Sequence, residues 1–185
     1  MKGVEINTER LLLRTVRAGD AAAYYGCRSL PAVRRYQGCP KSLAEARRRL
    51  AACAALAPNT PRTWYQFAII EKAGGAYAGD IAVHFTDGRQ AELGYTVAPR
   101  CQGRGYATEG ARAVLAWLFG ELKLHRVSCS ADPRNKASLG VMRRLGMRKE
   151  AHFKKSFWTG KEWADDVVYA VLNSAPGAAL RATKE

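Results

Sequence analysis

Twenty residues near the middle of the chain, Ala91 to Gly110 (AELGYTVAPRCQGRGYATEG), constrain the fold more than any other stretch. Leu93, Tyr95 and Val97 alternate with Glu92, Gly94 and Thr96, the period-two pattern of a pleated strand. Pro99 sets a turn. Beyond it Ala107, Ala111, Val114, Leu115, Leu118 and Leu122 recur at three- and four-residue steps and make one apolar helical stripe. Between strand and helix lies Arg100-Cys101-Gln102-Gly103-Arg104-Gly105, in which the two glycines lack Cβ and let the backbone approach a ligand or take positive φ. The amides of this loop and of the first helical turn have no partner inside the helix and sit at the positive end of its dipole, a place for a phosphate or pyrophosphate. A dinucleotide fingerprint would need a glycine where Thr108 stands, and the Gly-Lys-Ser/Thr of a Walker loop is absent from the chain. Spacing alone leaves two readings open: an anion-binding loop, or a strand-to-helix connection that uses glycine only to turn.

The rest of the chain supplies elements around this one. Arg10 to Arg17 predicts a first strand, and Gly19-Asp20 begins a helix running to about Ser29. Pro31 breaks it, leaving Ala32 to Tyr36 as a short helical turn. Ser42-Leu43-Ala44-Glu45 has the spacing of a capping box and opens a helix over Leu43 to Leu56. Trp64 to Glu71 and Tyr77 to Phe85 read as strands, and Asp87-Gly88 marks a hairpin turn into the strand of Glu92. These three strands make an antiparallel meander. The helix from Tyr106 to Leu122 then crosses over, so His125 to Ala131 is expected to lie parallel to the central strand. Asn135 caps a helix that ends at Leu145-Gly146, and two last strands, Arg148 to Phe157 and Ala164 to Asn173, flank a hairpin loop. The sum is a mixed α/β (α+β) fold in a single domain over residues 1–173, with 174–185 a tail that has little to bury and is expected to fray.

Composition narrows the class. At 185 residues, 48% hydrophobic and 25% charged, the chain has the make-up of a soluble globular domain. It has no apolar run long enough to span a membrane and no basic-then-apolar signal segment at its start, which points to the cytoplasm. The five cysteines are widely spaced and pair with no histidine in a metal-binding pattern, so free thiols in a reducing compartment and no metal are expected.

The run PRCQGRGYATEG after a strand reading Glu-Leu-Gly-Tyr resembles the acetyl-CoA-binding motif of the GNAT N-acetyltransferases, and is similar to their RimJ/RimL branch. TERLLLR, AVRRY ahead of a Pro-x-Ser helix start, DPRNKASLGVMRRLGM and FWTGKEWADDVVYAVL follow in that branch's order, so the resemblance covers about residues 7 to 173. It implies a GNAT fold: a central, mostly antiparallel mixed sheet, splayed at its middle strands and flanked by helices. It also implies acetyl-CoA as acetyl donor, an amine acceptor, and direct attack of the amine on the thioester.

By that resemblance the cofactor is held by backbone amides from Gln102 through Gly103, Arg104, Gly105, Tyr106, Ala107 and Thr108 and by the strand edge at Thr96, Val97 and Ala98, with Asn135 bonding its pantetheine arm or a water. Arg100 and Arg104 are candidate phosphate partners by charge, or solvated surface arginines. Glu92 matches the family's strand glutamate and is the candidate base; otherwise it bonds a neighbouring backbone group or arginine. Many GNAT enzymes carry a tyrosine seven residues after the helix-opening asparagine, where this chain has Met142, which holds no proton to give. Ser138 is the candidate replacement as proton donor to the departing thiolate, with a helix-capping role as the alternative. Tyr36, Trp64, Phe157, Trp158 and Trp163 are candidate substrate-lining aromatics, each equally suited to packing. Asp165 and Asp166 either attract a cationic amine or stand as exposed edge charges.

The net charge of +14 attracts anions, CoA and ribosomal RNA among them, although an Ala- and Arg-rich composition alone produces such an excess. Ribosome contact and a homodimer are compatible with the family, and no membrane partner is expected. Three readings follow: acetylation of a protein N-terminal α-amine of the ribosomal-protein type; acetylation of a small amine such as an antibiotic, polyamine or amino acid; and a catalytically silent CoA- or RNA-binding module.

Overall fold

The computed structural model describes residues 3–173. The expected fraying tail, 174–185, lies outside them. The elements in order are β1 (Glu5–Asn7), β2 (Leu11–Thr15), α1 (Ala21–Ser29), α2 (Pro31–Arg34), α3 (Leu43–Ala55), β3 (Thr63–Glu71), β4 (Tyr77–Phe85), β5 (Gln90–Val97), α4 (Tyr106–Gly120), β6 (Arg126–Ala131), α5 (Lys136–Arg144), β7 (Arg148–Trp158) and β8 (Trp163–Leu172).

All eight strands form one sheet in the order β1-β2-β3-β4-β5-β6-β8-β7. Every neighbouring pair is antiparallel except β5 and β6, which run parallel as the intervening helix requires. That parallel seam is short. It pairs Gln90 with Arg126, Ala91 with Val127 and Glu92 with Ser128, and then stops. From Gly94 to Val97 the strand pairs with none of the described residues on that side, so the sheet splays in its middle.

One face of the sheet carries α4. Its buried stripe (Tyr106, Gly110, Ala111, Val114, Leu115, Leu118) lies against Leu11, Leu13, Phe67, Ile81, Val83 and Leu93. Gly110 sets the approach distance, since a Cβ there would stand 3.0 Å from Ile81 Cδ1. On the other face α1 and α3 bury Ala21, Tyr24, Ala46 and Leu50 against Val16 and Ala68. Here the contact is also ionic. The fully buried Asp80 of β4 accepts from Arg28 Nη2 at 2.7 Å and from Gln66 Nε2 at 2.9 Å. Arg28 lies over the Tyr24 ring and donates Nη1 to the Gly38 carbonyl at 3.1 Å, so one guanidinium ties α1, β4 and the segment after α2 together.

Local chemistry explains the departures from the sequence reading. Pro31 starts α2 rather than clearing a gap before it, because at the first helical position its missing N–H leaves no bond unmade. The box at α3 is only half reciprocal: Ser42 Oγ accepts from the Glu45 amide, whereas Glu45 Oε2 accepts from the Lys41 amide, not from Ser42. β1 was not expected, since Glu5-Ile6-Asn7 has one apolar residue and exists as a strand only through pairing with Leu12 to Arg14. The five cysteines are free thiols.

Candidate active site

Beside the unpaired end of β5 lies a cavity of about 630 Å³. The end of β5, the glycine loop, the first turn of α4 and one side of α5 form one wall; Ala32, Val33, Tyr36 and Gln37, from α2 and the turn after it, form the other.

Gly103 and Gly105 have φ of +75° and +81°, conformations that side-chain-bearing residues avoid, and Gly105 is the N-cap of α4. The first amide engaged by the helix is that of Glu109, which donates to the Gly105 carbonyl at 3.0 Å. The amides of Gly103 through Thr108 have no hydrogen-bond partner among the described residues, and they lie at the positive helix end, a favourable place for an anion. Gln102 does not belong with them: its N–H closes a turn onto the Pro99 carbonyl. The expected arginines also turn elsewhere. Arg104 pairs with Glu71 at 2.9 Å and stacks on Tyr106, while Arg100 donates to the Tyr77 carbonyl at 2.7 Å. The cationic side chains that do line the cleft are Lys136 and Arg144 of α5. Arg144 Nε donates to Thr108 Oγ1 at 3.1 Å, and its guanidinium lies over Gly140, where a Cβ would be only 3.2 Å from it. The signal was present in the sequence as small residues, Ala137 and Gly140, on the helix face that also carries Lys136 and Arg144.

The open edge of β5 is polar. Ala98 N–H bonds the Ala78 carbonyl and Thr96 is paired with Asp80, so by alternation the groups of Tyr95 and Val97 face the splay. Two side-chain amides occupy their carbonyls: Gln37 Nε2 donates to Tyr95 O at 3.3 Å, and Gln102 Nε2 to Val97 O at 3.0 Å. Thr96 lines the cleft with a buried Oγ1 that lacks a protein partner, whereas Ala98 is buried and does not line it.

Across the splay, Asn135 and Ser138 begin α5. Asn135 Oδ1 accepts from the Ser138 amide at 3.2 Å, so this side chain caps the helix. Ser138 Oγ is 3.0 Å from the Tyr95 hydroxyl, which also donates to the Ser138 carbonyl at 3.0 Å. Burial pushes the Tyr95 hydroxyl well above the usual tyrosine range, so it stays protonated. Met142 is buried in the core.

Glu92 sits at the last paired position of the seam, on the sheet face opposite Tyr95, and does not line the cleft. Its Oε1 accepts from Ser130 Oγ at 3.1 Å. Burial, followed by the charge of Glu92, raises the carboxyl pKa of nearby Asp166. Of the candidate aromatics only Tyr36 lines the cleft. Trp64 stacks on His84 at 4.7 Å, one strand over from Glu92. Phe157, Trp158 and Trp163 stand exposed on the β7–β8 hairpin, the two tryptophans packed on each other at 5.5 Å. Asp165 is a hairpin brace: it accepts from the Lys155 amide at 3.0 Å, Lys154 Nζ at 3.0 Å and His152 Nε2 at 2.8 Å, and those bonds hold its carboxyl well below the usual range. Among the described residues no cluster of His, Cys, Asp or Glu could hold a metal, and no helix is long and apolar enough to cross a membrane.

A mixed sheet split at one parallel seam, with a helix N-terminus and its glycine loop opening beside the split, is the architecture of an α/β fold with a cleft at the seam. The family model described as acetyltransferase (GNAT) domain matches residues 10–148, and the chain belongs to the GNAT acetyltransferase family. Over 81 residues it is 43% identical to the uncharacterized N-acetyltransferase YnaD of Bacillus subtilis (44% of this chain, 48% of YnaD). Over 79 residues it is 30% identical to the ribosomal protein uS5-alanine N-acetyltransferase of Escherichia coli (43% of this chain, 41% of that one). These matches thus span about half the length of the relatives. Among solved structures, a GNAT-family acetyltransferase from Bacillus anthracis superposes with a TM-score of 0.80 at 30% identity, covering 93% of this chain and 100% of its own. Mycobacterium smegmatis RimJ in complex with CoA-disulfide shares the fold, with a TM-score of 0.80 at 22% identity over 93% of this chain and 90% of its own.

Proposed function

We propose that the chain is an acetyl-CoA-dependent N-acetyltransferase acting on a primary amine, with a protein N-terminal α-amine of the ribosomal-protein type as acceptor. The observation that carries the reading is the run of unpartnered amides at Gly103 to Thr108 beside the splay. The residues fit the donor. Free amides and the Lys136 and Arg144 charges suit a diphosphate, Val97 and Tyr95 offer edge groups to its amide-bearing arm, and the unpartnered Thr96 hydroxyl marks a wall made for a polar ligand.

When bound, acetyl-CoA supplies an activated acetyl thioester. The chain's own residues then have three tasks. The loop amides and α5 cations hold the anionic end. Ser138 presents its Oγ proton toward the cleft, where a departing sulfur of thiol pKa about 8.5 needs a donor. Glu92, held by Ser130 at the vertex of the splay, takes the amine's proton through solvent. A modest base is enough: an α-amine of pKa about 7.7 is roughly 15–20% neutral at pH 7, against about 0.04% for a lysine amine. That difference, with the uS5-alanine relative, supports an N-terminal acceptor over a lysine side chain.

The test is free-thiol release from acetyl-CoA across a panel of N-terminal peptides and small amines. N-terminal peptides are expected to give turnover, with Ser138→Ala lowering kcat about 10²-fold at unchanged acetyl-CoA affinity. Turnover with small amines alone would replace the acceptor assignment. Acetyl-CoA binding without turnover on any amine would reduce the chain to a binding module.

A further inference from the structure

Tyr95 has a role that its place in the strand does not require. As the third residue of the core-facing alternation Ala91, Leu93, Tyr95 it would pack as well with no hydroxyl, and burying an unbonded phenol is costly. Its hydroxyl finds both partners on one residue of another element, the Oγ and the carbonyl of Ser138, each at 3.0 Å. The turn after α2 holds it from the other end as well, since the Tyr95 carbonyl accepts from Gln37 Nε2.

A phenol and a serine hydroxyl carry one proton each, and this fixes what the pair can do. With the Tyr95 proton on the Ser138 carbonyl, the Ser138 proton either bonds the phenol oxygen, leaving the cleft only lone pairs, or turns into the cleft and breaks that bond. With the Tyr95 proton on Ser138 Oγ, the Ser138 proton is free to point into the cleft. Negative charge gathering in the cleft favours the second arrangement, because it presents a donor while keeping the bond between the two hydroxyls. We propose that Tyr95 is the positioning residue for thioester cleavage: its hydroxyl holds Ser138 Oγ and turns the serine proton toward the departing sulfur. The role rests on the acetyltransferase reading and supplies, from β5, the phenol that Met142 does not supply from α5.

The experiment is a double-mutant cycle on steady-state thiol release, with Tyr95→Phe, Ser138→Ala and the pair. Tyr95→Phe keeps the ring and is expected to lower kcat about tenfold with the acetyl-CoA KM unchanged, a modest share of what a positioned proton donor contributes. In the Ser138→Ala background the same change is expected to do nothing further, because the group it positions is gone. Equal factors in both backgrounds, or a higher KM at full kcat, would overturn the role and leave the acetyltransferase reading standing. Wild-type protein that releases no thiol with any amine overturns that reading and this role together. Should Tyr95→Phe melt early, Tyr95→Met fills the slot without a hydroxyl and must give the same cycle.

Discussion

Gly79→Ala is expected to cost at least about 4 kcal/mol, at the severe end of single substitutions, read as a fall in the urea midpoint at unchanged slope. Gly79 sits in β4 opposite Val97 with φ of +153°, where L side chains are rare. A Cβ there would overlap the Thr96 carbonyl oxygen and lie 3.0 Å from Val97 Cα. Both obstacles are backbone, so no rotamer change relieves them. Nor can β5 move aside freely, because Asp80 and Thr96, and Ala78 and Ala98, clamp it on either side of the clash. Relief therefore requires the strands to part at the end of β5 that lines the cleft, and acetyl-CoA binding should weaken with stability. A midpoint within the equivalent of about 1 kcal/mol of wild type would show that the strands are not held this closely.

Arg28→Leu is the second large effect, with an expected loss of about 3–5 kcal/mol. Breaking a buried pair from one side leaves the other charge behind, and Asp80 is fully buried with only Gln66 and a long 3.4 Å contact from Tyr77 to replace the guanidinium. The Gly38 carbonyl loses its donor in the same step. The double variant Arg28→Leu/Asp80→Asn separates the two terms: removing both charges should recover much of the loss, whereas the Gly38 bond stays broken. A thermal melt in which Arg28→Leu and the double variant are equally destabilised would place the cost in packing instead of charge. Since α2 and the turn after it form one wall of the cleft, the single variant should also raise the acetyl-CoA KM.

The elements legible from sequence were those with a local cause. The alternation in β3 to β5, the apolar stripe of α4, the glycine loop and the caps at Ser42 and Asn135 follow from residues within a few positions of each other. What sequence could not show depends on partners far away in the chain. Arg104 looks like a phosphate ligand until β3 brings Glu71 beside it, and Arg144, which no local pattern singles out, reaches Thr108 only once α5 packs beside α4. Glu92 was placed on the right strand face, but its bond to Ser130 and its position outside the cleft lining depend on where the seam ends. The tryptophans of the last hairpin carry the composition of a pocket and the exposure of a surface, a distinction that burial alone makes.

The three-pair seam also orders the way the chain folds. Strands β1 to β5 pair only with their neighbours in sequence, whereas β6, β8 and β7 join them through a single parallel contact that must wait for α4 to cross. Ladder amides of the first five strands should therefore gain protection from pulse-labelled exchange before those of β6 and β8. The cleft is then the last part of the molecule to take shape, and a nascent chain is ligand-blind until its C-terminal third has been made.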